Sequence, residues 1–454
     1  MLTIGILLLF LSGYMTVNAV SLRFTQAEKC GLAFPLGTGL VTFIMLLADA
    51  VGIPLTAGTM LAAALLCTLV PGAMLWKQRK EVGESLHPHI EWSHINLVWL
   101  LLLGMLAYVE YANFAKCMFF PTYDRDSMAA FDTIGYIIAQ EHTLHGLSIF
   151  AGDYMSAMHG AGSTISYTPM VQLSYAYVYA LGAETSKIIP GLMYLSFLLA
   201  FYALTARFTS RTAAMAGTLL MSLTPEMMAF SSLSATNVMH AVSASLGLLY
   251  VVGWLTQDNR RDLYIGSLLL AVNVWCRAEG VVFIGTALLL VALRTVRSRR
   301  YADLVPVALS LVPALVWSLF LKMHNLYAES ILITHPFWDG AKAETIYNHA
   351  KDLLTNTVYY GWTFTGLLLA VVANAWYAVK KRDSLWLLAA FCLSLVGYFV
   401  VIYQIEYKWD SIENVLRYSA KRFLFCYVPV AWFYIVSNRT VRTACEAADR
   451  WLSK

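Results

Sequence analysis

Charge is scarce in this chain. Asp, Glu, Lys and Arg together make up 13% of its 454 residues, about half the share of an ordinary soluble domain. With a mean hydropathy of +0.63, that scarcity argues against a soluble globular fold. The seven cysteines (Cys30, Cys67, Cys117, Cys276, Cys392, Cys426 and Cys445) are scattered and form no CxxC pair. Neither a zinc ribbon nor a disulfide framework is indicated, and the thiols read as small apolar packing groups. There is no P-loop, GxSxG, HExxH or strand–helix GxGxxG, so the reaction classes those motifs serve have no support. No basic patch interleaved with aromatics points to nucleic acid. Pro and Gly are not gathered into a linker, and no internal repeat is visible.

What the chain has instead is long apolar runs. At about 20 apolar residues per crossing, thirteen spans are expected: 2–20, 31–52, 54–76, 96–114, 188–206, 212–231, 238–256, 263–276, 280–294, 303–322, 357–379, 384–404 and 422–438. The first lacks a basic leader, since Arg23 follows rather than precedes it, and this fits an uncleaved span better than a signal peptide. The expected fold is therefore all-α, a polytopic integral membrane protein with about thirteen transmembrane helices and external juxtamembrane helices.

Lysine and arginine set the orientation. With the N-terminus outside, the short loops RFTSR, DNRR, RTVRSRR and KKR all fall inside, as does the Arg-bearing C-terminal tail, in accord with the positive-inside rule. The C-terminus is then cytoplasmic, and segments 115–187, 323–356 and 405–421 are external. The run ISYTPMVQLSYAYVYALG at 165–182 is expected to lie in the outer interface, because counting it as a span would turn RFTSR outward. The basic stretch 76–92 divides the chain into a three-span N-terminal piece (1–92) and a larger membrane domain (93–438), followed by a tail (439–454).

The external segments hold the ionisable chemistry, as long loops in a compact membrane protein commonly do. Residues 123–146 read YDRDSMAAFDTIGYIIAQEHTLHG. Asp132 opens a short amphipathic helix, either as its N-cap or as a chemical group. Asp124 and Asp126 form a DxD, a spacing that can hold a divalent cation, or else a solvated charged loop. His142 and His145, three apart, are expected on one helix face near Glu141, Asp153 and His159, with metal ligation weighed against a water-facing surface. Arg277 and Glu279 lie between two apolar runs, where charge is costly and is a functional candidate unless the two merely neutralise each other. Arg417, Tyr418, Lys421 and Arg422 open the last span, as a phosphate clamp or as interfacial anchors. Asn237 stands at the outer start of a span, where capping that helix is the simpler reading.

In this order the features resemble the GT-C superfamily of polytopic glycosyltransferases that use lipid-linked sugars. Its members include the dolichyl-phosphate-mannose protein mannosyltransferases and the aminoarabinose transferases of lipid A. FDTIGYIIAQEHTLHG resembles the family's external acidic motif and sets its catalytic aspartate on Asp132. YTPMVQLSYAYVYALG (Tyr167, Pro169, Gly182) resembles a YPPL-like helix. CRAEG (Arg277) and RYSAKRFLFCYVP (Arg417, Tyr418, Pro429) resemble two later motifs. The series covers about residues 96–438. The chain departs from the family at Asn237, where many relatives are acidic, and in the second proline of the YPPL-like motif. The resemblance implies a lipid-phosphate-sugar-dependent glycosyltransferase that inverts at the anomeric carbon. Its donor is a polyprenyl-phosphate sugar, and its acceptor a lipid, glycan or protein hydroxyl. Asp132 is the expected general base, and Arg277, Arg417, Arg422 and Lys421 the expected donor-phosphate ligands. Asp124, Asp126, His142, His145, Tyr167, Asn237, Glu279 and Tyr418 are expected to shape the substrate loop. No cofactor is required, and a divalent metal is compatible but unsupported. The expected location is a bacterial inner membrane, with the site facing the periplasm. The competing reading is a transporter or flippase for a lipid-linked or anionic substrate, which would need charge or broken helices near the bilayer midplane.

Overall fold

The architecture comes from a computed structural model, which describes residues 1–86, 96–150, 167–326, 332–334, 338–407 and 411–452. Nearly every element is helical. The exception among the described residues is a short antiparallel pairing of Leu332–Thr334 with Ile405–Tyr407, which ties together two segments expected to be external. Among the described residues nine helices are long and apolar enough to cross a membrane, and a tenth is counted if Tyr301–Leu309 and Val312–Met323, bent by 41°, form one span. The chain is thus a polytopic helical membrane protein. The other three expected spans are shorter helices: Arg211–Ser222, Arg260–Cys276 and Tyr427–Ser437.

Burial sorts the helices into a centre and a rim. Every residue from Asn237 to Leu255 is buried, so that helix is the axis on which the others pack. Leu97–Phe119 buries only Leu106, Glu110 and Cys117; its exposed Leu100, Leu101 and Met105 make the apolar outer surface that lipid requires. Between membrane helices the bilayer supplies little hydrophobic drive, so small residues at contacts matter most. Leu2–Val20 and Gln26–Ala50 show this: a Cβ on Gly13 would lie 1.8 Å from the Ala33 carbonyl oxygen, and one on Gly37 1.8 Å from that of Leu9.

Polar side chains at the helix ends fall into two sets. In one, Arg207 pairs with Glu28 at 3.1 Å and with Asp262 at 2.5 Å. Arg294 and Arg300 hold Asp258, Arg260 holds Asp303, and Asp383 accepts the backbone N–H of Arg439. In the other set are Asp126 with Arg422, Asp49 with His145, and Arg277 with Glu279. Among the described residues no ion pair joins one set to the other. The groups expected inside pair among themselves, and so do the groups expected outside.

Candidate functional site

Asp132 begins the helix Asp132–Glu141, directly after a wide π-type turn over Ser127–Phe131. The N-cap position belongs to Phe131, and no side chain caps this helix. The capping alternative for Asp132 therefore fails: its carboxylate turns sideways instead of back onto the first turn. Oδ1 accepts from the Tyr179 hydroxyl at 2.7 Å and Oδ2 from Thr122 Oγ1 at 3.1 Å. Burial, followed by the bond to Asp132, pushes the Tyr179 phenol up to about 12, so it remains a proton donor. Both partners of Asp132 are neutral, the carboxylate is only partly buried, and lone pairs remain for a third donor.

Gly135 sets this geometry. A Cβ there would lie 2.6 Å from Tyr175 Cβ and 3.0 Å from the Gln172 carbonyl oxygen, so only glycine lets the Asp132 helix lie against Met170–Ala180. That second helix is packed inside the protein. Met170 to Val178 are all buried, and the Tyr177 and Tyr179 hydroxyls reach the Gly5 carbonyl and Asp132 on other helices. An 11-residue helix rich in tyrosine has the same composition in either place.

The DxD diverges. Asp124 accepts from the backbone N–H of Ser127 at 3.2 Å and from its hydroxyl at 3.3 Å, whereas Asp126 is ion-paired with Arg422. A narrow crevice of about 140 Å³, lined by Thr122, Asp124, Lys187 and Ser234 among others, lies beside this loop and is too tight for a water-sized sphere. The buried Lys187 donates to the carbonyls of Phe120 (2.8 Å) and Lys116 (3.3 Å), closing the last turn of Leu97–Phe119. Burial pushes its pKa down.

A cationic wall stands next to the loop. Helix Arg260–Cys276 ends where Arg277 turns extended (φ −149°, ψ 138°). The chain then reverses so tightly that a Cβ on Gly280 would meet Val274 backbone at 2.7 Å. Arg277 and Glu279 are brought together in this break, bonded Nη2–Oε1 at 2.6 Å and Nε–Oε2 at 3.2 Å. Burial opposes the charged form of Glu279, but the Arg277 guanidinium outweighs it and holds the carboxyl at about 2. Tyr167 connects the two halves. Its hydroxyl lies in the field of Arg277, Glu279, Asp126 and Arg422, and its ring is 5.8 Å from that of Phe131, the neighbour of Asp132. Lys421 sits with its Nζ 5.6 Å from the Tyr359 ring and 5.9 Å from that of Phe230. The buried Glu226 lies in the field of Lys421 and Arg422.

Other expected residues lie apart. Arg417 and Tyr418 are exposed, and among the described residues no hydrogen bond or ion pair links either to Asp132, Arg277 or Arg422. Asn237 is buried as the first residue of its helix, which no side chain caps, so the capping role expected for it is not made. His142 and His145 do not share a helix face. The helix stops at Glu141, and His142 adopts a left-handed conformation (φ 59°). His145 instead bonds Asp49 through Nδ1 at 2.9 Å and stacks on His324 at 4.4 Å. Asp49 also accepts from Thr143 Oγ1 and from the backbone N–H groups of Leu144 and His145, each at 3.0 Å, and so pins the whole turn. Asp153 and His159 lie outside the described residues. Among the described residues no group of three or more His, Cys, Asp or Glu is placed to hold a metal ion.

Sequence reasoning missed Tyr179, Thr122, Lys187 and Asp49. Tyr179, Lys187 and Asp49 act on residues more than forty positions away, and Thr122 acts across a loop, so none has a local signature. Compared with protein families, curated proteins and solved structures, the chain finds no match. What the fold and site define together is a polytopic helical membrane protein with a carboxylate and a set of cations gathered on one polar face.

Proposed function

We propose that the protein is a membrane glycosyltransferase of the GT-C type, moving a sugar from a polyprenyl-phosphate donor to an acceptor hydroxyl on the external face. The observation that carries this reading is the setting of Asp132: a partly exposed carboxylate, oriented by Tyr179 and Thr122, with no cation bonded to it among the described residues. A carboxylate so held is suited to take a proton. In the reaction, the acceptor oxygen attacks the anomeric carbon as its proton passes to Asp132. The bond from that carbon to the phosphate oxygen breaks, and polyprenyl phosphate leaves with the electron pair. Attack from the side opposite the leaving group inverts the centre. The leaving phosphate needs cations aimed at its growing charge, and Arg277 and Arg422, grouped around Tyr167, are the candidates. Lys421 is a nearby third, and Arg417 a more peripheral one.

The proposed topology has thirteen crossings, with the N-terminus outside in a bacterial inner membrane and the site towards the periplasm. It is supported by the sorting of ion pairs into two separate groups and by the positive-inside pattern. A transporter reading rests on Arg277 and Glu279 at a helix break; the partly exposed Asp132 carboxylate favours the enzyme.

The test is Asp132→Asn, purified and supplied with a polyprenyl-phosphate sugar and a panel of hydroxyl acceptors. Transfer is expected to fall by about 10²–10⁴-fold while thermal stability stays near that of the parent. Undiminished transfer would remove the assignment.

A further inference from the structure

An open cavity of about 490 Å³ lies between the turn that follows Ile188–Thr205 and the first two turns of the last helix, Arg439–Leu452. Three arginines line it, Arg207, Arg439 and Arg442, against one carboxylate, Glu446. They are not equivalent. Arg207 is committed to Glu28 and Asp262 behind the wall. The guanidinium of Arg439 stacks 5.1 Å over Tyr377, and that of Arg442 has Glu446 only at 4.0 Å. A stacked guanidinium keeps its in-plane N–H donors free for an oxyanion. Thr209, in the same wall, is 9% exposed, and its Oγ1 has no hydrogen-bond partner.

We infer that this cavity binds the phosphodiester headgroup of an anionic phospholipid. The phosphoryl oxygens would take N–H donors from Arg439 and Arg442. A free phosphate offers the same oxygens, but the last helix favours a lipid. Val441, Ala444, Cys445, Ala448 and Trp451 recur at helical spacing, and Trp451 is 75% exposed. Such a helix lies in the headgroup plane with its apolar edge in the acyl region, which brings the cavity mouth to where phosphodiesters are. Basic pockets beside membrane helices on the cytoplasmic side commonly take anionic headgroups.

The experiment uses the full chain in detergent, titrated separately with phosphatidylglycerol, phosphatidylcholine and inorganic phosphate. It is read by lipid retention in native mass spectrometry and by the thermal midpoint, neither of which depends on catalysis. Phosphatidylglycerol is expected to be retained and to raise the midpoint, and phosphatidylcholine to do neither. The double variant Arg439→Gln/Arg442→Gln should weaken phosphatidylglycerol retention on the order of tenfold. Equal retention of the two lipids would overturn the inference, as would saturation by inorganic phosphate with no lipid preference, or undiminished retention in the double variant.

Discussion

Replacing Glu279 by glutamine tests how Arg277 is held. The substitution keeps the shape and one acceptor oxygen but removes the counter-charge from a guanidinium whose side chain is only 10% exposed. The two charge centres lie roughly 4 Å apart, so their attraction is about 4 kcal/mol at an effective dielectric constant near 20. Breaking a fully buried pair costs about 3–5 kcal/mol. Glu279 is 28% exposed, and water takes over part of its role, which brings the expected loss to about 2–3 kcal/mol. The measurement is thermal or denaturant unfolding of the detergent-solubilised protein, with Arg277→Gln/Glu279→Gln beside it. The double variant should recover part of the loss, because it leaves no orphan charge. Polyprenyl phosphate, if Arg277 faces the donor, should stabilise the Glu279→Gln protein more than the parent. Acid does not mimic the change until the pH approaches the depressed pKa of about 2. Stability within about 0.5 kcal/mol of the parent would show that Arg277 does not rely on Glu279 and refute the reasoning.

Two other perturbations have definite signs. Gly135→Ala must push the Asp132 helix away from Tyr175, which lies 2.6 Å from the added Cβ. Overpacking of about 1–3 kcal/mol is partly offset by the better helix propensity of alanine, about 1 kcal/mol. Unfolding should therefore register a small loss, whereas transfer should fall up to about 100-fold as Asp132 leaves its position; intact transfer would show that this helix contact does not set the site. The stacked His145 and His324 make the turn at 142–147 sensitive to acid. Burial, then the neighbouring His145, lower the His324 pKa, with Asp49 opposing, so the fold favours the neutral ring. That contribution is present above the ordinary histidine pKa of about 6.5 and is lost as the pH falls through the depressed value. The thermal midpoint should drop between about pH 7 and pH 5, and His324→Phe, which keeps a stacking ring, should flatten that drop; an unchanged slope would place the sensitivity elsewhere.

The sequence made the membrane architecture legible because the bilayer leaves few alternatives: Leu385–Gln404 and Ile188–Thr205 can be little but spans. Arg277 and Glu279 were equally visible, being two residues apart in a break between apolar runs. Other features were not, for physical reasons. Whether Asp132 caps its helix depends on the backbone of the preceding turn, and the π-type turn at Ser127–Phe131 moves the cap to Phe131. His142 and His145 have helical spacing, but the helix stops one residue before His142, and nothing local announces that. Asp49 holds a turn about 95 residues away from the end of an apolar run, where an aspartate reads as a boundary. The burial of Met170–Ala180 was hidden because tyrosine suits a wet interface and a packed interior alike.

The pairing of Asp126 with Arg422 has a consequence for turnover. A phosphate arriving at this wall meets a guanidinium that already has an anion, so binding is an exchange of one ion pair for another. Its free energy is a difference between two similar quantities, which keeps affinity modest. On the proposed reading, the same exchange run backwards would help expel the spent carrier: as polyprenyl phosphate departed, Asp126 would return to Arg422. A carboxylate with no part in bond making would thereby set how readily the product is released, and its removal should trade faster capture for slower escape.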